Sequence, residues 1–329
     1  MSRTLRVATF NLESLDDRPS AAVPFEDRIK VLRPELERLR ADVLCLQEIN
    51  ARETSKKGPR HLSALDRLIT GTAYETFHRV VSLNRGGARP SDRHNLVILS
   101  RLPVLSHGQV WHDLVRPPIY SPTTASPEQP MSVEWDRPIL HAALQIDGQH
   151  RLHIVNLHLR APRAAWLPGQ KERHRWTNVG GWAEGFFLAE IKRAGQALEA
   201  RLLVERLMDE EPDAMICVCG DFNADDGEMP MRTIRGDEED TGNGALAPRM
   251  LVGLDRTISE SQRFSVIHRG RRVMLDHILV SRPLLAWYRT SHVNNEALGD
   301  ELVSPALAQG APESFHAAVV AEFSPPPRH

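Results

Sequence analysis

The sequence predicts an α/β fold in which two packed, mostly antiparallel sheets are flanked by helices. Three observations carry that expectation. Apolar runs of strand length outnumber helical repeats along the 329 residues. Several of those runs ("DVLCLQE", "NLVILSR", "MICVCG") are apolar on both faces, as strands buried between two other layers are. No linker-like segment separates two self-sufficient halves, so residues 1–323 are expected to form a single domain, with surface excursions near 111–138 and 227–254 and a frayed tail at 324–329.

The elements follow in order. "LRVATFNLE" reads as a strand that ends near Asn11. Phe25, Ile29, Leu32, Leu36 and Leu39 recur at helical spacing, with Pro34 inside the pattern predicting a kink or a restarted helix. "DVLCLQE" is a second strand, "HLSALDRLI" a short helix, and "HRVVSL" and "NLVILSR" are strands on either side of a Gly- and Pro-rich turn. Residues 111–138 carry many prolines and no periodicity, which predicts a long surface loop. "RPILHAALQI" and "RLHIVNLHL" flank Asp147-Gly148 and read as a hairpin with a tight turn. The clearest helix covers 184–208, with Leu188, Ile191, Gly195, Leu198, Leu202 and Val204 on its buried side. "DAMICVCG" is the next strand, the acidic stretch "GDEEDTGNG" an exposed excursion, "FSVIHRGRRVMLDHILVS" a hairpin about Arg269-Gly270, and "SFHAAVVAEF" a last strand.

Composition excludes several functions. The chain is 41% apolar and 26% charged with a net charge of −2, so nothing draws it as a whole to nucleic acid or an anionic membrane. No stretch has the length of a membrane span, and the N-terminus lacks an apolar signal region, which makes cytoplasmic the expectation. Cys45, Cys217 and Cys219 sit inside apolar runs and read as small core residues, not as a zinc or disulfide framework. No obligatory protein partner is evident.

Polar residues gather where apolar strands end. Asn11, Glu48, Asn156 with His158, Asp221 with Asn223, Asp276 and His316 all occupy such positions. Each alone also suits an ordinary strand end. Together they suit a metal-phosphate site. Mg²⁺ takes oxygen ligands, commonly one or two carboxylates, and Glu48 with Asn11 supplies them; Glu13, two residues past Asn11, joins the same face. Asp276 lies inside the apolar run "VMLDHILVS", where a charge needs a partner, and His316 is a suitable one. His277 points to the opposite face and reads as structural.

Seven motifs, "TFNLE", "LQE", "NLVILSR", "VNLHL", "GDFNA", "LDHILVS" and "SFHAAVV", occur in the order found in the endonuclease/exonuclease/phosphatase superfamily, and the chain resembles that superfamily over almost its whole length. "NLHLRAP", "GQK" and "DRHNLVILSR" look like a bacterial branch of unspecified substrate. The resemblance implies a four-layer α/β sandwich of the deoxyribonuclease-like fold and Mg²⁺- or Mn²⁺-dependent hydrolysis of a phosphoester by in-line attack of water. It implies Asn11 and Glu48 at the metal end, Asp221 orienting or deprotonating water, Asn223 steadying the phosphate or Asp221, and His158 and His316 donating to the phosphorane, with Asp276 holding His316. One departure stands out: the superfamily's last motif usually reads Ser-Asp-His, whereas this chain has Ser314-Phe315-His316. A site leaning on Glu48 and Glu13, with one metal, is the expectation.

The substrate is expected to be a phosphodiester, nucleic acid among the candidates. A small-molecule phosphatase of the same fold (inositol phosphate, sugar or nucleotide phosphate) and a degenerate phosphate-binding module are the alternatives. "RAPRAAWLPGQKERHRW" places Arg160, Arg163, Lys171, Arg173 and Arg175 around Trp166 and Trp176, a mixture suited to gripping a strand and stacking a base. An ordinary solvated loop anchored by its tryptophans is the plainer reading. Arg93, Lys192, Arg193 and Gln196 are further candidates to face phosphate.

Overall fold

A computed structural model of the chain describes residues 4–19, 21, 23–53, 58–125, 127, 129–303 and 311–326. The last three residues of the expected tail, 327–329, lie outside the described residues. The main strands are β1 (Leu5–Leu15), β2 (Val43–Ile49), β3 (His78–Val81), β4 (Asn95–Ser100), β5 (Val104–Val110), β6 (Ile139–Gln145), β7 (Arg151–His158), β8 (Met215–Asp221), β9 (Val252–Gly253), β10 (Asp276–Val280), β11 (Tyr288–Val293) and β12 (Val319–Phe323). The main helices are α1 (Phe25–Leu39), α2 (Ser63–Ile69), α3 (Val179–Glu210) and α4 (Met229–Arg235).

The strands form two six-stranded sheets, β11-β12-β1-β2-β4-β3 and β9-β10-β8-β7-β6-β5. In each, one central pair is parallel, β1/β2 and β7/β8. Each parallel pair is joined by a crossover helix, α1 in the first sheet and α3 in the second, because parallel neighbours cannot be closed by a tight turn.

The two-residue side-chain period of a strand sorts the layers. Val7, Val43, Cys45 and Ile98 of the first sheet meet Leu152, Ile154, Cys217, Cys219 and Ile278 of the second in one buried core. Their alternates face outward: Ala8, Phe10, Leu44 and Leu46 pack on α1 and α2, and Val155, Leu157, Val218 and Leu279 pack on α3 and α4. The layer order is therefore helix, sheet, sheet, helix. All three cysteines are buried and unpaired in this interior, as the sequence predicts. No helix among the described residues is long and apolar enough to cross a membrane.

Several local expectations are corrected. Helix α1 runs without a break through Pro34. Pro34 and Lys30, whose carbonyl loses its helical donor, both lie on the exposed side, where water can supply the missing bond. Helix α3 begins earlier than predicted, with Asn178 Oδ1 accepting from the Gly181 N–H (2.7 Å). Its buried side also differs: Leu198 and Leu202 are exposed, whereas Arg193, Gln196 and Glu199 are buried. Residues 111–138 are sewn onto this helix by two carboxylates. Glu199 accepts from the His112 and Leu114 N–H groups (both 3.1 Å) and from Trp135 Nε1 (2.8 Å). Glu184 accepts from Tyr120 Oη (2.8 Å) and the Thr123 and Thr124 N–H groups (2.7 and 2.8 Å). The segment also contains a short ribbon, Ile119–Tyr120 with Met131–Ser132. In 227–254, α4 buries Met231 and Ile234, and β9 forms a sheet edge.

The β6–β7 hairpin closes through a longer loop than a tight turn, with Ile146 N–H donating to the His150 carbonyl (3.0 Å). Within this hairpin, His141 and His153 stack with ring nitrogens 3.1 Å apart. Burial pushes His141 down to about 4, and the neighbouring ring adds to the effect. An unfolded histidine takes up a proton near its ordinary value of 6.5 that the folded one refuses. This pair thus contributes stability that is present above that value and is lost as pH falls toward about 4. His141→Phe is expected to flatten the acid-induced fall in melting temperature over that window; an unchanged pH profile would count against the assignment.

Candidate active site

The parallel pairs put four strand C-termini at one rim, and the antiparallel neighbours begin there. Along the inward face the residues change from apolar to polar toward that rim. β1 presents Val7, Thr9 and Asn11; β2 Val43, Cys45 and Gln47; β7 Ile154, Asn156 and His158; β8 Cys217, Cys219 and Asp221. Asp276 opens β10 opposite Asp221, at a strand start and not mid-strand as the sequence suggested. His94 precedes β4, Arg137 precedes β6 and His316 precedes β12, so their side chains arrive at the same place.

Asp221 is the centre of the cluster. Its Oδ2 accepts from Asn11 Nδ2 (3.0 Å) and Asn223 Nδ2 (3.1 Å) and lies 3.2 Å from His158 Nε2. Its Oδ1 accepts from the Asn223 N–H (2.8 Å). His316 Nδ1 pairs with Asp276 Oδ2 at 2.8 Å, while Asp276 Oδ1 is buried without a hydrogen-bond partner among the described residues. One ligand-type atom each from Asp221, Asp276 and His316 lies within 4.8 Å of the others, a spacing that a metal ion could use.

Burial pushes the Asp221 carboxyl up to about 7, Asp276 adds to the rise, and His316 opposes it. His316 moves up to about 10: burial acts against its charge, but Asp276, Asp221 and Glu48 outweigh it. His158 goes the other way, driven well below its ordinary value by burial and then by Arg137, His94 and His316. Two imidazoles in one site are therefore held in opposite charge states by their surroundings.

The backbone bends to aim these groups. Among the described residues, five of the nine non-glycine positions with positive φ are Glu13, Ser14, Glu48, His94 and Asn223, all at this rim. The β1–β2 register slips between Asn11 and Leu15, and this irregularity turns Glu48 back toward the site that Gln47 already faces. Glu48 Oε2 accepts from the Ser14 N–H (2.8 Å) and Oγ (3.1 Å). Its Oε1 lies 3.7 Å from His158 Nε2 and accepts no hydrogen bond among the described residues. Burial disfavours the Glu48 charge, yet His94, Arg137, His316 and Ser14 hold it below the usual carboxylate range. Glu13 is raised by burial, although the Phe315 N–H (2.9 Å) donates to its Oε2. The Phe315 ring, where an aspartate is expected, is itself buried.

Not every candidate reaches the site. Asn156 lies one layer beneath it. Its amide donates to the Leu46 and Val97 carbonyls (3.2 and 3.0 Å) and accepts from Gln47 Nε2 (2.8 Å), bracing one sheet against the other. Arg193 is buried against Glu190, Glu228 and the Asn223 carbonyl (2.8 Å), so it supports the Asn223 turn. Arg160 and Lys192 are both taken by Asp136. Lys171 stands 4.4 Å over the Trp176 ring, and Arg93 is exposed. Gln196 donates to the His158 carbonyl (3.1 Å) and so positions that strand end. His277 faces away, as predicted, and contacts the Ala224 carbonyl (2.9 Å) under the Asp221 turn.

Two rim residues were not singled out from the sequence. Arg137 Nη2 lies 2.9 Å from His94 Nδ1, and His94 Nε2 lies 3.2 Å from Ser14 Oγ. The available signal was position: each stands just before a strand that starts at the rim.

The Endonuclease/Exonuclease/phosphatase family profile matches residues 8–300. No match is found among curated proteins. Solved structures share the fold at low identity. Truncated TDP2 from Caenorhabditis elegans has a TM-score of 0.58 at 15% identity, covering 98% of this chain and 98% of that one. The human Nocturnin catalytic domain with bound sulfate has a TM-score of 0.55 at 16% identity, covering 98% and 95%. The 3′ phosphatase NExo from Neisseria, bound to product DNA hairpin, has a TM-score of 0.52 at 18% identity, covering 97% and 99%. This chain belongs to the Endonuclease/Exonuclease/phosphatase family.

Proposed function

We propose that the protein is a divalent-metal-dependent phosphoester hydrolase, acting on phosphodiesters of the kind nucleases cut, by in-line attack of water on phosphorus. One observation carries the reading: a carboxylate fixed by two amides, Asn11 and Asn223, sits between a neutral imidazole and a cationic imidazole–carboxylate pair. Family membership supports phosphoester hydrolysis as the reaction class.

Asp221, with an affinity for protons near neutrality, is suited to orient a water and take its proton. Cationic His316, held by Asp276, offers a donor to the charge that builds on phosphorus or its leaving oxygen. Neutral His158 keeps Asp221 in place through Nε2. Arg137 adds positive field beside Glu48, and its Nη2 donates to His94 Nδ1.

The donor set fits a hard cation. Among the described residues Glu48 Oε1 accepts no hydrogen bond, and the neighbouring end of β1 brings the Glu13 carboxylate and the Asn11 carboxamide oxygen, which suits Mg²⁺ or Mn²⁺. Asp221, Asp276 and His316 fit less well, because the His316 Nδ1 is already committed to Asp276 and the ring holds its proton. When bound at Glu48, the ion would supply Lewis-acid charge to a phosphoryl oxygen.

A phosphoester panel with Mg²⁺ and Mn²⁺, covering single-stranded and duplex DNA, RNA, inositol phosphates and nucleotide phosphates, tests the reading. Turnover of diesters is expected, abolished by chelator and restored by Mg²⁺. Turnover of monoesters alone would replace it with a small-molecule phosphatase, and no turnover at all with a phosphate-binding module. His316→Ala is expected to lower turnover by roughly a hundred- to ten-thousandfold while the protein stays folded.

A further inference from the structure

Helix α3 is longer than the strands it crosses. Gln196 meets the His158 carbonyl at the rim end of β7, and Arg193 meets the Asn223 carbonyl just past the rim end of β8. Residues 196–210 span the sheet, so residues 179–195 extend past the strands of the two main sheets, rising roughly 25 Å beyond the rim at 1.5 Å per residue. Two segments clothe this overhang. Val133 from one, and Ala165 and Leu167 from the other, pack on Leu188 and Ala189. The result is a wall beside the site, rooted at Asp136, which is bound by Arg160 and Lys192 and is adjacent in sequence to Arg137.

The wall carries chemistry that the hydrolytic site does not use. Trp166 is 62% exposed, Phe187 51% and Trp182 45%, an unusual amount of aromatic surface to leave in water. A short ribbon, Lys171–Glu172 with Arg175–Trp176, projects cations from the same region. Among the described residues, Arg163, Lys171, Arg173 and Arg175 form no ion pair with a carboxylate, whereas Arg160 beside them is neutralised. Cations without a carboxylate partner, in the same region as the exposed Trp166 and Trp182, which stacks on Phe186 by one face, complement a chain that offers both phosphates and unpaired bases.

We propose that this wall is a docking surface for single-stranded nucleic acid. Bases stack on Trp166 and Trp182, the unpaired cations take the phosphates, and the strand is led down to the rim. The proposal deepens the phosphodiester reading and rests on it for the strand's destination. Single strands are favoured over duplex because the aromatic faces can be covered only by unpaired bases. They are favoured over a lipid surface because Trp166 lies in a run of cations, Arg163, Lys171, Arg173 and Arg175, that an anionic strand would occupy along its length.

The test is equilibrium binding of a fluorescent twelve-residue oligothymidylate to the whole protein in chelator, so that no turnover enters. Wild type is expected to bind with an affinity that falls steeply with salt. Trp166→Ala and Trp182→Ala should each weaken binding roughly tenfold. The double variant Arg173→Ser, Arg175→Ser should lower the logarithmic salt slope by about 1.4. Wild-type binding in all of these variants would overturn the proposal. So would duplex of the same length binding as tightly as the single strand, or capture by phosphatidylglycerol vesicles where the oligonucleotide fails to bind. Because binding is read without metal, a failure of hydrolysis in the phosphoester panel leaves this result separate.

Discussion

Replacing Asp221 by alanine is expected to cut phosphoester turnover by at least about a thousandfold, without loss of the fold. Asp221 receives the Asn11 and Asn223 amides and lies beside both His158 and His316. The stability side of the prediction has a definite sign. Burial and Asp276 raise its carboxyl to about 7, so the folded state keeps a proton that the unfolded state has released from about 4 upward. Stability linked to this group is thus present at low pH and lost as pH rises toward about 7. Asp221→Ala should therefore be at least as resistant to urea as wild type at pH 8. A fully active variant would remove Asp221 from the mechanism, and an unfolded one would make the residue structural.

Gly220→Ala should act in the opposite way, through the fold first. Gly220 has φ of +140°, and a Cβ there would lie 1.9 Å from the Leu157 carbonyl oxygen. That oxygen belongs to the backbone of β7, whose Leu157 is the register partner of Gly220, so it cannot swing aside. A loss of at least about 3 kcal/mol is expected in urea unfolding, with activity falling in parallel because Asp221 follows directly. A variant within about 1 kcal/mol of wild type would mean that the sheet yields at this point.

The layer order and the rim were legible because both rest on a period of two. An apolar run that turns polar on one face, as in Val7, Thr9 and Asn11, marks both the core side of a strand and the end where it meets water. Asn11, His158 and Asp221 carry that signal; Glu48, Asn223, Asp276 and His316 were read instead as polar groups at strand ends and turns or inside an apolar run, and the structure gathers all seven. Asn156 carries the same signal but lies too deep. Its amide is consumed by the other sheet, and alternation cannot distinguish the last polar layer from the one beneath it. His94 and Arg137 escaped because they precede their strands among other charged residues, where no alternation operates. Arg193 was misread because a charged helical residue is usually solvated; here Glu190, Glu228 and a backbone carbonyl provide a buried substitute for water. The carboxylates that tie residues 111–138 to α3 were equally hidden, since half of their donors are backbone N–H groups, which every sequence has.

The position of β12 between β11 and β1 has a consequence for synthesis. A growing chain that has not yet reached residue 316 already holds Asn11, Glu48, His158, Asp221 and Asp276, but β1 still lacks the neighbour on one side that completes its ladder. That open edge is the kind on which a chain aggregates or waits for a chaperone. The Ser314 hydroxyl, which donates to the Asn11 carbonyl (2.7 Å), links chain regions about three hundred residues apart and can form only when both are present. Completion of the rim is thereby tied to synthesis of the last strand of this sheet: a chain that stops before residue 314 bears Asn11, Glu48, His158, Asp221 and Asp276 but lacks His316 and leaves β1 open on one side.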